Sequence, residues 1–284
     1  ITVFRITQDR PQELDQTILT ALFKSQQLSP AEQLSLALIW NRVDIARSEI
    51  FIYGQKWPPG ALEQSMMQAL QHDRIDFVKL LLENGVSMRK FLSIPRLEEL
   101  YNTKDGPSNT LGYILRDVRP HIPRGYIYTL HDIGLVINKL MGGAYRHQYT
   151  RRKFRMIYAK VMKRSGGHMQ THRNSMAQGI KFYTGGSSGE KSHGLTMSLL
   201  AETLPTNRDT PLFDFPFNEL LIWAVLTKRQ QMALLMWQHG EEALAKALVA
   251  LKLYKAMAHE AAEDDLEMEV YDELRGYGKE FENI

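Results

Sequence analysis

The chain has 284 residues, with 35 Lys and Arg against 32 Asp and Glu, a net charge of +3 and no cysteine. So small a basic excess gives no ground for a nucleic-acid partner, and the missing thiols exclude disulfide scaffolds, thiolate zinc sites and cysteine nucleophiles. A hydrophobic fraction of 44% suffices for a globular core at this length, yet no run of about 18 apolar residues is present to cross a bilayer.

Ile1-Thr2-Val3-Phe4-Arg5 has neither a signal peptide's charge pattern nor an initiator methionine, so it reads as a cut point in a longer chain. Thr2 to Ile6 is the one candidate strand. Helix signals follow. Ile18, Leu19, Leu22 and Phe23 recur with Leu14 at helical spacing and form one apolar face. Ser29-Pro30-Ala31-Glu32 is a capping box with proline in the first turn, and it opens a helix carrying Leu34, Leu38 and Trp40. Trp57-Pro58-Pro59-Gly60 is a turn, after which Leu62, Met66, Met67 and Leu70 resume the helical period. Phe77, Leu80, Leu81 and Leu82 precede a stop at Asn84-Gly85.

Arg146, Arg151, Arg152, Lys153, Arg155, Lys160, Lys163 and Arg164 make the strongest basic run. Phe154, Ile157, Tyr158 and Val161 interleave with it, which predicts an amphipathic helix with a cationic face. Three readings order themselves by how charge runs usually behave: a solvated face, then a site for an acidic protein or phosphoinositide, then a nucleic-acid contact. Residues 163–211 are rich in Gly, Ser, Thr, His and Asn, and are expected to form a disordered or partly ordered loop. Helical patterning returns at Phe217 and continues to about Met257, and the acidic stretch Glu260 to Glu273 predicts one further helix. Trp40, Trp223 and Trp237 all stand in apolar helical contexts and read as core.

An internal echo organises these pieces. Leu38-Ile39-Trp40-Asn41-Arg42-Val43-Asp44-Ile45-Ala46 resembles Leu70-Gln71-His72-Asp73-Arg74-Ile75-Asp76-Phe77-Val78, and a fainter copy runs from Val225 to Ala233. Each reads as helix, polar corner, second helix. The period is close to that of ankyrin repeats, although their Thr-Pro-Leu-His signature is missing. The expected fold is all-α: stacked antiparallel helical hairpins, ankyrin-like or α-solenoid. Residues 1–8 are a strand or linker, 9–162 the helical-repeat region, 163–211 the loop, and 212–284 the continuation of the repeats.

Few residues suggest chemistry. Gly185-Gly186-Ser187-Ser188-Gly189-Glu190-Lys191-Ser192 falls short of a phosphate-binding loop, because Glu190 stands where the second glycine belongs and would oppose phosphate. His168 and His172 have the spacing of a helical metal pair, with His193 further on, but the residues around them offer no third ligand. No catalytic, cofactor-binding or metal-binding residue is assigned, and no enzymatic activity is expected.

Several blocks resemble the cytoplasmic homology regions of melastatin-type transient receptor potential channels. They include Trp40 to Arg47 with Tyr53-Gly54-Gln55, Asp76 to Leu81, Glu83 to Met88, Arg96 to Thr103, Asp132 to Ile137, Leu140 to Gly143, Trp237 to Glu242 and Ala245 to Ala250. They fall in family order over nearly the whole chain except 163–211. Leu251 departs from the divalent-permeable branch, where a cysteine is expected. The resemblance implies an N-terminal assembly and regulatory region of a homotetrameric, Ca2+- and Mg2+-permeable channel, on the cytosolic face of the plasma membrane, with residues 1–8 a strand or linker from an upstream domain. It implies neighbouring subunits as partners and no cofactor. Some members carry a C-terminal kinase, on which these residues are silent. Arg151, Arg152, Lys153, Arg155, Lys160 and Lys163 form the one candidate partner surface. The competing expectation is a soluble ankyrin-like scaffold without channel activity.

Overall fold

A computed structural model describes residues 14–52, 54–105, 107, 110–123, 125–162, 213–263 and 268–283. Every regular element among them is helical. The candidate strand at Thr2 to Ile6, the loop 163–211 with its near phosphate-binding loop and histidines, and Lys163 and Arg164 lie outside the described residues.

Helix α1 (Leu14–Ser25) lays Leu19 and Phe23 on α2 (Pro30–Ile39), while Ile18 stays exposed. The capping box forms as the sequence predicts. Ser29 accepts from the Glu32 amide, and the Glu32 carboxylate accepts from the Ser29 amide at 2.8 Å. A short helix α3 (Val43–Ile45) then runs into a π-helical turn, Ala46–Ile50. Helices α4 (Ala61–Gln71) and α5 (Ile75–Glu83) form the next hairpin. Gly60 before α4 and Gly85 after α5 take left-handed φ of 81° and 88°, which glycine adopts without steric cost. Next come α6 (Met88–Phe91), α7 (Ile94–Tyr101), α8 (Leu111–Val118) and α9 (Leu130–Met141).

A 3-10 turn, Gln148–Thr150, leads into α10 (152–162). After residue 212 come α11 (Pro216–Leu226), α12 (Gln230–His239), α13 (Ala243–Glu263) and α14 (Met268–Glu282). The acidic stretch is therefore not one helix. Glu260 lies in the last turn of α13 and Glu273 in α14, so the run is shared between two helices that pack on each other.

The three echoed segments fold into the same corner. Asn41, Asp73 and Lys228 all have left-handed φ, 54°, 56° and 59°. The following amides, of Arg42, Arg74 and Arg229, donate to the carbonyls of Ala37, Ala69 and Ala224 at 2.9, 2.8 and 2.8 Å. This is the helix-terminating geometry that satisfies the last carbonyls with one left-handed residue. The alanines are fully buried, as are Ile45, Phe77 and Met232 just beyond each corner. Trp40 is a correction: α2 ends one residue earlier, the indole is 38% exposed at its C-terminus, and Trp223 is the tryptophan that fills the core.

The corners also touch one another. Arg74 Nη2 donates to Ile39 O at 3.5 Å, at the end of α2. Arg229 does the same for the next corner, donating to Leu70 O at 3.1 Å and Gln71 O at 3.0 Å, and to Asp105 O at 2.6 Å. Its guanidinium lies 5.0 Å from the Trp223 ring centroid and 3.6 Å from Asp73 Oδ1. Each later corner thus supplies an arginine to the carbonyl end of the earlier helix, where the helix dipole favours a cation. The third hairpin, α11 and α12, is placed against the second although about half the chain separates them.

Candidate functional site

The predicted cationic helix exists, with one change of boundary. Arg151 precedes α10, and its guanidinium folds back on Arg146 O at 3.1 and 3.2 Å. Arg152, Lys153, Arg155 and Lys160 are exposed on the helix, and no carboxylate among the described residues forms an ion pair with them. Phe154, Ile157, Tyr158 and Val161 turn inward against the core, as their spacing requires. Met156, 66% exposed, is the one large apolar side chain on the outer face. That face can bind by charge. It has too little apolar area to insert into a bilayer, since interfacial helices bury a broad hydrophobic side.

What fixes the face is hidden beneath it. The 3-10 turn sits on α9 at Gly134, where an added Cβ would meet Thr150 Cγ2 and Tyr149 Cβ at 2.9 Å each. No larger residue fits that approach without displacing the turn. Asn138 secures the same place from α9: its Oδ1 accepts from the His147 amide at 2.6 Å, and its Nδ2 donates to Thr150 Oγ1 at 3.3 Å. The Tyr149 ring then packs on Phe154 of α10, with centroids 4.9 Å apart.

Two buried carboxylates complete the support. Glu98, on α7, accepts from the Tyr158 hydroxyl at 2.6 Å and from the Leu130 amide at 2.8 Å, so it joins α7, α9 and α10. Burial raises its pKa, against the opposing effect of those two donors. Glu219, in the first turn of α11, accepts from Gln148 Nε2 at 2.6 Å and from the Tyr149 hydroxyl. Its donors are neutral and no ion pair reaches it among the described residues. Burial pushes its pKa up to about 7, with Tyr149, Gln148 and Lys246 opposing.

A further acidic centre orders the start of α9. Thr129 and Asp132 form a capping box, and Asp132 also accepts from Tyr126 Oη at 2.9 Å and pairs with Arg119. Burial alone would raise the Asp132 pKa, but the Thr129 amide, Arg119 and the two hydroxyls outweigh it and the pKa is lowered. His147, buried against Tyr149, is held down to about 4 by burial, with Arg151 and Lys246 acting in the same direction. No group of three or more potential metal ligands occurs among the described residues.

Sequence reasoning found the cationic residues and the inward-facing Tyr158. It missed Glu98, Tyr149 and Glu219. Nothing near Glu219 in sequence separates it from an ordinary acidic residue in a helix's first turn.

A family model described as TRPM2-like domain matches residues 49–284. The transient receptor potential cation channel trpm of Drosophila melanogaster is 73% identical, covering 100% of this chain and 14% of the fly protein. Transient receptor potential cation channel subfamily M member 7 of Homo sapiens is 46% identical, over 99% of this chain and 17% of the human protein. The transient receptor potential channel of Caenorhabditis elegans is 43% identical, over 99% and 18% respectively. The chain therefore spans less than a fifth of the length of these relatives.

Proposed function

This chain belongs to the TRPM family of transient receptor potential channels, and from that premise we propose that it is a cytoplasmic assembly and regulatory region of a homotetrameric, divalent-permeable cation channel. It stands on the amino-terminal side of the membrane domain and meets neighbouring subunits. Residues 9–162 and 212–284 are two parts of one ankyrin-like stack of hairpins. The observation that carries this reading is the seating of Arg229 on the carbonyl end of α4, which joins the two parts into a body able to transmit displacement. The relatives' names supply the channel activity, and among the described residues no helix is long and apolar enough to cross a membrane. No catalytic role is assigned to the chain.

Recording from cells that express the full-length protein tests the proposal. Divalent current, and a tetramer by native electrophoresis, are expected. A monomeric protein with no current would leave a helical scaffold instead.

The exposed face of α10, with Arg151 beside it, takes an anionic partner, either a phosphoinositide headgroup or an acidic protein segment. Reversing Arg152, Lys153 and Arg155 to Glu should weaken sedimentation with phosphoinositide-bearing vesicles, or capture by an acidic peptide, and flatten its salt dependence. Unchanged binding to both probes would make the face a solvated one.

A further inference from the structure

We propose that the outer stripe of α13 is a docking surface for the same stripe of a second copy of this chain, run antiparallel, with Leu248 meeting Leu248 on the two-fold axis. The inference concerns a self-complementary contact and does not depend on the channel reading.

One side of α13 is committed to the core. Ala247, Ala250, Leu253, Tyr254 and Met257 are buried, and the helix packs on α9, α11, α12 and α14. The other side carries Leu244, 75% exposed and the most exposed large apolar side chain among the described residues, and Leu248, one turn on, 58% exposed. Leu251, partly buried, continues the row, and Ala245 lies exposed beside it. Steps of four and three residues set Leu244, Leu248 and Leu251 along one line of the helix, the spacing by which one helix meets another. Scattered exposed leucines are ordinary, but a row of them on one helix is a contact face.

The flanking charges decide which helix fits. Glu241 and Glu242 are exposed just before α13, and Lys252 and Lys255 are exposed further along the stripe. Among the described residues no ion pair engages Glu241, Glu242 or Lys252. Lys255 faces Glu282 at 3.8 Å, and with both more than half exposed the ammonium stays open to a second carboxylate. A stripe acidic at one end, apolar in the middle and basic at the other is the complement of itself reversed. In an antiparallel pair centred on Leu248, Leu244 meets the stem of Lys252, Ala245 meets Leu251 and Glu241 meets Lys255, each twice by symmetry. A parallel pair would instead set like charges together, which is unfavourable. The small side chain of Ala245 lets the two helices come close. Such a contact uses one patch on both chains and closes as a pair. Neighbours in a four-fold ring meet through two unlike patches, so this contact joins chains that are not ring neighbours. A single helix pair buries less than a standard interface, so the dimer is weak and reversible.

Sedimentation equilibrium of the 284-residue chain, from about 10 μM to about 1 mM, tests this. A monomer–dimer equilibrium with a Kd of roughly 100 μM is expected. Leu248→Glu should weaken it at least about tenfold, by placing two carboxylates on the axis, while Tm stays at the parent value because the side chain lies outside the core. Glu241→Lys or Lys255→Glu alone should weaken the dimer about fivefold, since each brings like charges together at two symmetric places. Both exchanges in one chain should restore the parent Kd. A chain that stays monomeric at every concentration overturns the proposal. So does a dimer that Leu248→Glu leaves intact, which would run through another face. A doubly exchanged chain no tighter than the single variants rejects the antiparallel register, because a contact made by apolar area alone gives no such recovery.

Discussion

Arg229 occupies a place where a cation should be costly, since its side chain is 2% exposed. Desolvating a guanidinium takes several kcal/mol. Three bonds to carbonyls, each about 1.5–3 kcal/mol for a charged donor, are of the right size to offset it. The indole of Trp223 and the carbonyl end of α4 add smaller favourable terms. Asp73 adds less, its Oδ1 being 3.6 Å away and its own pKa raised by burial against the pull of Arg229. Planar reach therefore matters more here than charge. Arg229→Lys keeps the charge but cannot span Leu70, Gln71 and Asp105, and should cost about 2–3 kcal/mol by leaving carbonyls unbonded. Calorimetry would register that as a Tm lower by roughly 5–10 °C. A Tm within a degree of the parent would show that charge alone suffices. Asp73→Asn should do much less.

The hairpin corner is the unit at the next scale. A left-handed residue with a side chain costs about 1–2 kcal/mol, less for Asn. Asn41 is exposed, so Asn41→Gly should raise the urea midpoint, by up to about 1 kcal/mol of stability. At Lys228 the same change should lower it, because the ammonium is 2.5 Å from Glu273 on α14 and its side chain is 5% exposed. The corners are legible in the sequence because their chemistry is local: a buried alanine, a polar left-handed residue and an arginine recur at fixed spacing. The capping box at Ser29 is legible for the same reason. Trp40 misleads because an apolar neighbourhood says nothing about where a helix stops. The support under α10 is hidden for a different reason. Gln148 and Tyr149 find Glu219 across 71 and 70 residues, and no local pattern encodes such a pairing.

Across the molecule, packing follows the corners more than the order of the chain. Helix α12 lies against α5, α7 touches α4, α9 and α11, and α13 spans from α9 to α14. Lys139 ties α9 to α13 by pairing with Glu260, and to α8 by pairing with Asp117 at 2.6 Å. Units that share a buried interface open together. Native-state hydrogen exchange should therefore find residues 61–83 and 216–239 opening with one free energy. In Arg229→Ala the two should separate, with 216–239 opening first. Two unrelated opening energies in the parent would mean that the corner contact is incidental.

The seating of Arg229 also separates mechanical continuity from covalent continuity. Its guanidinium reaches carbonyls 159 and 158 residues earlier in the chain, so the joint is a dovetail between surfaces that draws on the peptide between them through the carbonyl of Asp105. A lineage can lengthen, trim or resplice stretches well beyond Asp105 without recutting the dovetail. Change at Ala69, Ala224 or Arg229 has no such licence. Selection should therefore hold three small corners nearly still while the text between them is rewritten.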